Sequence, residues 1–165
     1  MALTPPFVRG HDHSLGESGP VLVLFGDYED PDSAAAHRAI SALGDAVVYV
    51  WRHLPIGELH PNANGAALAA EGAAAQDAFW AFHHVLLARQ DALSVPDLLN
   101  HAGQIGLEVS TLMEDMLEGR HAERVLDDVR SAVNSGVKAT PAIFMDGELW
   151  EGGWEPEELR AALAG

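Results

Sequence analysis

Val21-Leu22-Val23-Leu24-Phe25-Gly26-Asp27-Tyr28-Glu29-Asp30-Pro31-Asp32-Ser33-Ala34-Ala35-Ala36-His37 decides the fold of this chain. The unbroken apolar run Val21 to Phe25 has the pattern of a central strand buried on both faces, and Gly26-Asp27 ends it. Asp30 before Pro31 is a favoured N-cap followed by a favoured first helical residue, and Ser33 to Leu43 reads as a helix. A second apolar run, Ala46 to Trp51, predicts another strand. The opening is therefore β-α-β, with a connection long enough for a parallel crossover.

Working outward, residues 61 to 136 show helical periodicity, broken at Gly72, at Ser94-Val95-Pro96 and at Gly106. The predicted helices are Ala63 to Ala74, Gln76 to Arg89, Val95 to Gly106, Ser110 to Leu117 and His121 to Ser135. After Thr140-Pro141 comes the apolar Ala142 to Met145, then Asp146-Gly147 as a hairpin turn, then Glu148 to Glu151. Glu155 to Ala164 closes the chain as a helix. Residues 1 to 19 mix Pro, Gly, His and Ser without periodicity and read as a lead-in that docks weakly or not at all. The division is a lead-in, 1–19, and one domain, 20–165, with a helical insertion at about 61–136.

This order, β-α-β, helical insertion, β-β-α, is an α/β fold of the thioredoxin-like kind, and three stretches resemble the DsbA-like family. The first is Asp30-Pro31-Asp32-Ser33, standing where family members carry Cys-Pro-aromatic-Cys. The second is Arg52-His53-Leu54-Pro55 followed by His60-Pro61-Asn62-Ala63, with Phe79-Trp80 and His83 downstream. The third is Gly136-Val137-Lys138-Ala139-Thr140-Pro141, which looks like the family's cis-proline loop facing the active site. The chain holds no cysteine, so it is not a thiol-disulfide oxidoreductase, whatever its resemblance implies.

In the family, as the resemblance implies, the first cysteine of the tetrad is a thiolate stabilised at a helix N-terminus. Asp30 takes that place here. A carboxylate there keeps the anion and loses the sulfur: it can accept hydrogen bonds but cannot exchange electrons. Asp32 adds a second negative charge that repels an anionic ligand such as glutathione. Ser33, in the second cysteine's place, would need a base and an oxyanion site to act as a nucleophile, and no elbow motif accompanies it. His37, one turn on, could share a polar edge with Asp30, Asp32 and Ser33.

The expected function is binding, of a peptide, protein or small molecule, at a groove formed by the former tetrad with Thr140, Pro141 and His37. The alternatives are a non-redox enzyme using Asp30, Asp32 or Ser33, and a scaffold whose old site is vestigial. Nine histidines invite a metal reading, but no H-E-x-x-H pair or comparable helical spacing appears, and His11 and His13 sit in the lead-in. Neither metal nor cofactor is expected. His53 and His60 are expected to bond backbone, and Trp150 and Trp154 to be exposed enough to mark an interface.

The net charge of −16 opposes nucleic acid and anionic membranes as partners, since the nine Lys and Arg residues form no run. No stretch reaches the roughly 18 apolar residues of a membrane span, and the start lacks a secretory apolar core. A cytoplasmic location is the resulting expectation, in keeping with the lack of cysteine.

Overall fold

The computed structural model describes residues 2–165. Its centre is a five-stranded sheet of order β1-β3-β2-β4-β5: β1 (His13–Leu15), β2 (Val21–Gly26), β3 (Val48–His53), β4 (Ala142–Met145) and β5 (Glu148–Leu149). β2 runs parallel to β3, with Val21 opposite Val48 and Gly26 opposite His53, and antiparallel to β4, with Phe25 opposite Ala142. The parallel pair requires a crossover, which α1 (Pro31–Ser41) supplies.

Both faces of β2 are covered, as its continuous apolar run requires. Leu22 and Leu24 point into the larger cluster, with Tyr49, Trp51 and Ile143 from the sheet and Ile40 of α1. The same cluster takes in α2 (Ala63–Ala74), α3 (Phe79–Ala88), α4 (Val95–Gln104), α5 (Val109–Leu117) and α7 (Pro156–Ala164). Val23 and Phe25 face the other way, into a smaller cluster with Val50, Phe144 and Ala132 of α6 (Ala122–Asn134). Alternation along one strand thus divides the fold into two layers over one sheet.

Four sequence expectations are corrected. β3 extends from Val48 to His53 instead of Ala46 to Trp51: Ala46 lies in a short 3-10 turn, and the strand continues through Arg52 and His53. An arginine reads as a strand end only while its partner is unseen. α3 begins at Phe79, because α2 closes through Asp77 in the left-handed region (φ 58°), with Ala78 N–H donating to the Ala73 carbonyl. Trp150 and Trp154 are half-buried against the large cluster, and the Trp150 indole N–H donates to the Gly153 carbonyl at 2.7 Å.

The fourth correction concerns the lead-in, which is firmly docked. β1 pairs antiparallel with β3, His13 opposite Trp51. Asp12 accepts two hydrogen bonds from the buried Arg52, at 3.0 and 2.7 Å, and one from Arg9 Nη2 at 2.7 Å. Arg9 reaches on to Asp127 and Asp128 of α6. Arg52 also donates to Ser131 Oγ and to the Phe7 carbonyl. A segment without periodicity is held here by charge-assisted hydrogen bonds, which leave no hydrophobic pattern to read.

Candidate functional site

Three loops leave the sheet at one end. Asp27 to Asp30 follows β2, Leu54 to Asn62 follows β3, and Lys138 to Pro141 leads into β4; the parallel and antiparallel registers put all three at the carboxyl end of β2. Gly26, at that end, has no room for a side chain, because a Cβ there would collide with the Trp51 ring.

The former tetrad is a self-contained cap. Asp30 Oδ1 accepts from Asp32 N–H at 3.1 Å, and Oδ2 accepts from Ser33 N–H at 3.0 Å and the Ser33 hydroxyl at 2.7 Å. The Ser33 oxygen accepts in turn from Asp27 N–H at 3.1 Å, and Ser33 is fully buried. Its one proton is committed to Asp30, a carboxylate already engaged by the N–H groups of Asp32 and Ser33. A nucleophilic role for Ser33 would need that proton taken by a base that is free to act. Asp32 is exposed on the first turn.

The loop ahead of the cap is tied from two sides. Asp27, buried, accepts from Glu29 N–H at 2.8 Å and from Ile56 N–H at 2.8 Å, and lies 2.9 Å from His60 Nδ1. Glu29 accepts from the backbone and side-chain N–H groups of Asn62. Gln90 donates to the carbonyls of Tyr28 and Asp30, at 2.9 and 2.8 Å. At the same end of the sheet, Thr140 and Pro141 are joined by a cis peptide bond and remain half-exposed, next to exposed Lys138 and Ala139.

His37 does not join Asp30 and Asp32. It is buried, 6% exposed, with Nδ1 2.9 Å from the Tyr49 hydroxyl, and it lies under α3 beside His83 and His84. Burial foremost, then His84 and Arg38, holds its imidazole down to about 4. Nor do His53 and His60 bond backbone with their rings: His53 Nε2 lies 2.8 Å from Glu71 Oε1, and His60 faces Asp27.

His13, His53 and Glu71 bring ligand-type atoms together, so a divalent metal has to be considered. The indole N–H of Trp51 donates to His53 Nδ1 at 3.1 Å. Trp51 can only donate, so Nδ1 is an acceptor and the neutral ring carries its proton on Nε2, pointing at Glu71. A metal on Nε2 would move that proton to Nδ1, against the indole N–H, whereas metal-bound histidines donate from the other nitrogen. The donor set does not fit a metal; it fits a carboxylate held by two imidazole N–H groups, His13 at 2.7 Å and His53 at 2.8 Å. Burial would raise the Glu71 carboxyl, and the hydrogen bonds from these two rings outweigh it, leaving it well below the usual range.

Sequence reasoning missed Asp27, Glu71 and Gln90. Only Glu71 carries a signal: a lone acid within Ala69-Ala70-Glu71-Gly72-Ala73 has to be partnered once that helix is buried.

Residues 21–164 match the model of the family described as DSBA-like thioredoxin domain. Among solved structures, a thioredoxin-like oxidoreductase from Silicibacter pomeroyi DSS-3 superposes with a TM-score of 0.84 at 26% identity, covering 94% of this chain and 92% of that one. Oxidised BdbD from Bacillus subtilis gives 0.86 at 20% identity, with 99% and 96% covered, a likeness of fold alone. Among curated proteins, the Na+/H+ antiporter NhaA 3 of Salinispora tropica is 40% identical over 98% of this chain and 26% of its own length. NhaA of Herminiimonas arsenicoxydans is 35% identical over 99% and 27%. The chain spans about a quarter of the length of these relatives. No helix among the described residues is long and apolar enough to cross a membrane.

Proposed function

Because this chain belongs to the DSBA-like thioredoxin domain family yet contains no cysteine, we propose that it acts by binding an extended peptide along the Thr140–Pro141 loop. The observation that carries this reading is the fate of the two tetrad positions. Asp30 and Ser33 satisfy each other and the helix N-terminus, while the Thr140–Pro141 loop at the same end of the sheet stays half-exposed. Strand addition beside that loop needs backbone groups and side-chain recesses, and it needs no sulfur.

The rim is acidic, with Glu29 and Asp32 beside the cap on a chain of net charge −16, so the peptide is neutral or basic. The named relatives supply a context: this chain is a non-redox module working on a segment of an Na+/H+ antiporter, in one polypeptide or between two. Location follows the antiporter in this reading, so the cytoplasmic expectation becomes a cytoplasmic-side module that does not itself enter the bilayer.

Selection from a phage-displayed library of linear peptides, followed by NMR titration of the labelled chain, tests the proposal. Expected are shifts confined to 27–30, 56–62 and 138–142, abolished by Thr140→Arg. No enriched sequence, or shifts on another face, refutes it.

A further inference from the structure

Three histidines are strung between the interior and the surface. The Tyr28 hydroxyl lies 2.8 Å from His83 Nδ1, His83 Nε2 lies 3.3 Å from His37 Nδ1, and His37 Nε2 lies 3.2 Å from His84 Nδ1. Each of the two inner rings, His83 and His37, turns one nitrogen to the neighbour on either side. A neutral imidazole donates from one nitrogen and accepts on the other. The chain can therefore be written with every donor pointing toward His84 or every donor pointing toward Tyr28.

Tyr28, His37 and His83 are buried, whereas His84 is exposed and lines a cleft of about 280 Å³ with Tyr49 and Asp45. The walls around His83 are aromatic: Trp51 at 4.6 Å, Trp80 at 5.1 Å and Phe79 at 5.2 Å between ring centroids. The other groups facing the relay are Arg38 on α1, Tyr49 and His53 on β3, and His13 on β1. Glu71 and Asp128 act on the Tyr28 end, but Glu71 is bonded to His13 and His53, and Asp128 to Arg9, Arg124 and the His53 N–H. A positive charge on the three rings has no carboxylate in hydrogen-bond contact. Burial above all, and then the neighbouring rings, accordingly holds His83 well below the ordinary imidazole value.

We propose that His84, His37, His83 and Tyr28 form a proton relay that makes the seating of α3 on α1 and β3 acid-labile. Starting with every donor pointing toward Tyr28, His84 Nε2 gains a proton from hydronium, leaving water, and its Nδ1–H bond breaks as that proton passes to His37 Nε2. The His37 Nδ1–H bond then breaks, and its proton passes to His83 Nε2. His84 and His37 end neutral, with donors reversed, and His83 ends as the imidazolium between Trp51 and Trp80. The cost of that buried charge is relieved when α3 lifts and water reaches the ring. This relay does not depend on the peptide groove.

The test is a stopped-flow jump of the full chain from neutral pH to a pH well below the ordinary imidazole range, read by tryptophan fluorescence and far-UV circular dichroism. An imidazolium against indole quenches its emission, so wild type is expected to show quenching before helix content falls. His84→Gln, at an exposed position, is expected to fold normally and slow the quenching phase by about tenfold or more. An equal rate in the variant, or quenching only together with helix loss, overturns the relay. Nitrogen-15 histidine NMR gives a second check. His37 and His83 are expected to stay neutral as pH falls through the ordinary imidazole range, and titration there like free histidines overturns the proposal as well.

Discussion

Replacing Asp30 by alanine separates a structural cap from a ligand-binding carboxylate. The carboxylate accepts from two backbone N–H groups and from the buried Ser33 hydroxyl. Losing an N-cap of this kind costs about 1–2 kcal/mol. The stranded hydroxyl of the fully buried serine adds about 1–3 kcal/mol. These contributions overlap, so the expected loss is about 2–4 kcal/mol, or a fall in Tm of roughly 5–15 °C for a chain of this size. Urea unfolding followed by tryptophan fluorescence and circular dichroism measures it. Asp30→Asn, which keeps one oxygen acceptor, is expected to lose about half as much. If Asp30→Ala unfolds within about 0.5 kcal/mol of wild type, the cap is not what holds this carboxylate, and a functional role returns to it.

Asp12→Asn leaves the buried Arg52 without its charged partner and is expected to cost about 3–5 kcal/mol at neutral pH by urea unfolding. The Asp12 carboxyl is held at about 2, its pairing with Arg52 and Arg9 outweighing burial. A lowered folded value means the stabilisation is complete above the unfolded value of 3.8 and is lost as pH falls through about 2, so variant and wild type should converge there. The double variant Asp30→Cys, Ser33→Cys is expected to close an intramolecular disulfide on oxidation and to gain insulin-reducing activity. Two free thiols after oxidation, by thiol titration, would show that the loop geometry no longer suits the chemistry. Zinc added to the wild-type chain is expected to leave the His53 ring nitrogens unshifted by NMR, and a zinc-dependent shift would undo the tautomer argument from Trp51.

Much of the architecture was legible because it rests on periodicity. The five apolar residues of β2, the Asp30-Pro31 cap and the Asp146-Gly147 turn each stand where the pattern put them. What escaped was polar and long-range. Arg52 looked like the end of a strand because its partner Asp12 lies 40 residues away in a segment with no pattern. Histidine is equally ambiguous in sequence: His37 looked like a groove residue and proved to be the middle of a buried chain, since nothing local tells which face of α1 α3 will cover. The cap itself was read as a structural possibility. That it uses up the serine proton became visible only when the hydrogen bonds were placed.

The sheet ends in a three-residue strand on one border and a two-residue strand on the other. Such short margins offer few unpaired backbone groups to another chain, a protection against self-association that β-rich proteins commonly need. β1 matters most here, because it pairs with Tyr49 to Trp51 along the outer edge of β3, a six-residue strand of which five residues are buried. A fragment trimmed before residue 16 would bare that long, apolar margin as a template for pairing. The polar clasp on residues 9 to 13 thus guards solubility as well as shape, and shortened versions of the protein are expected to aggregate even where the rest of the fold survives.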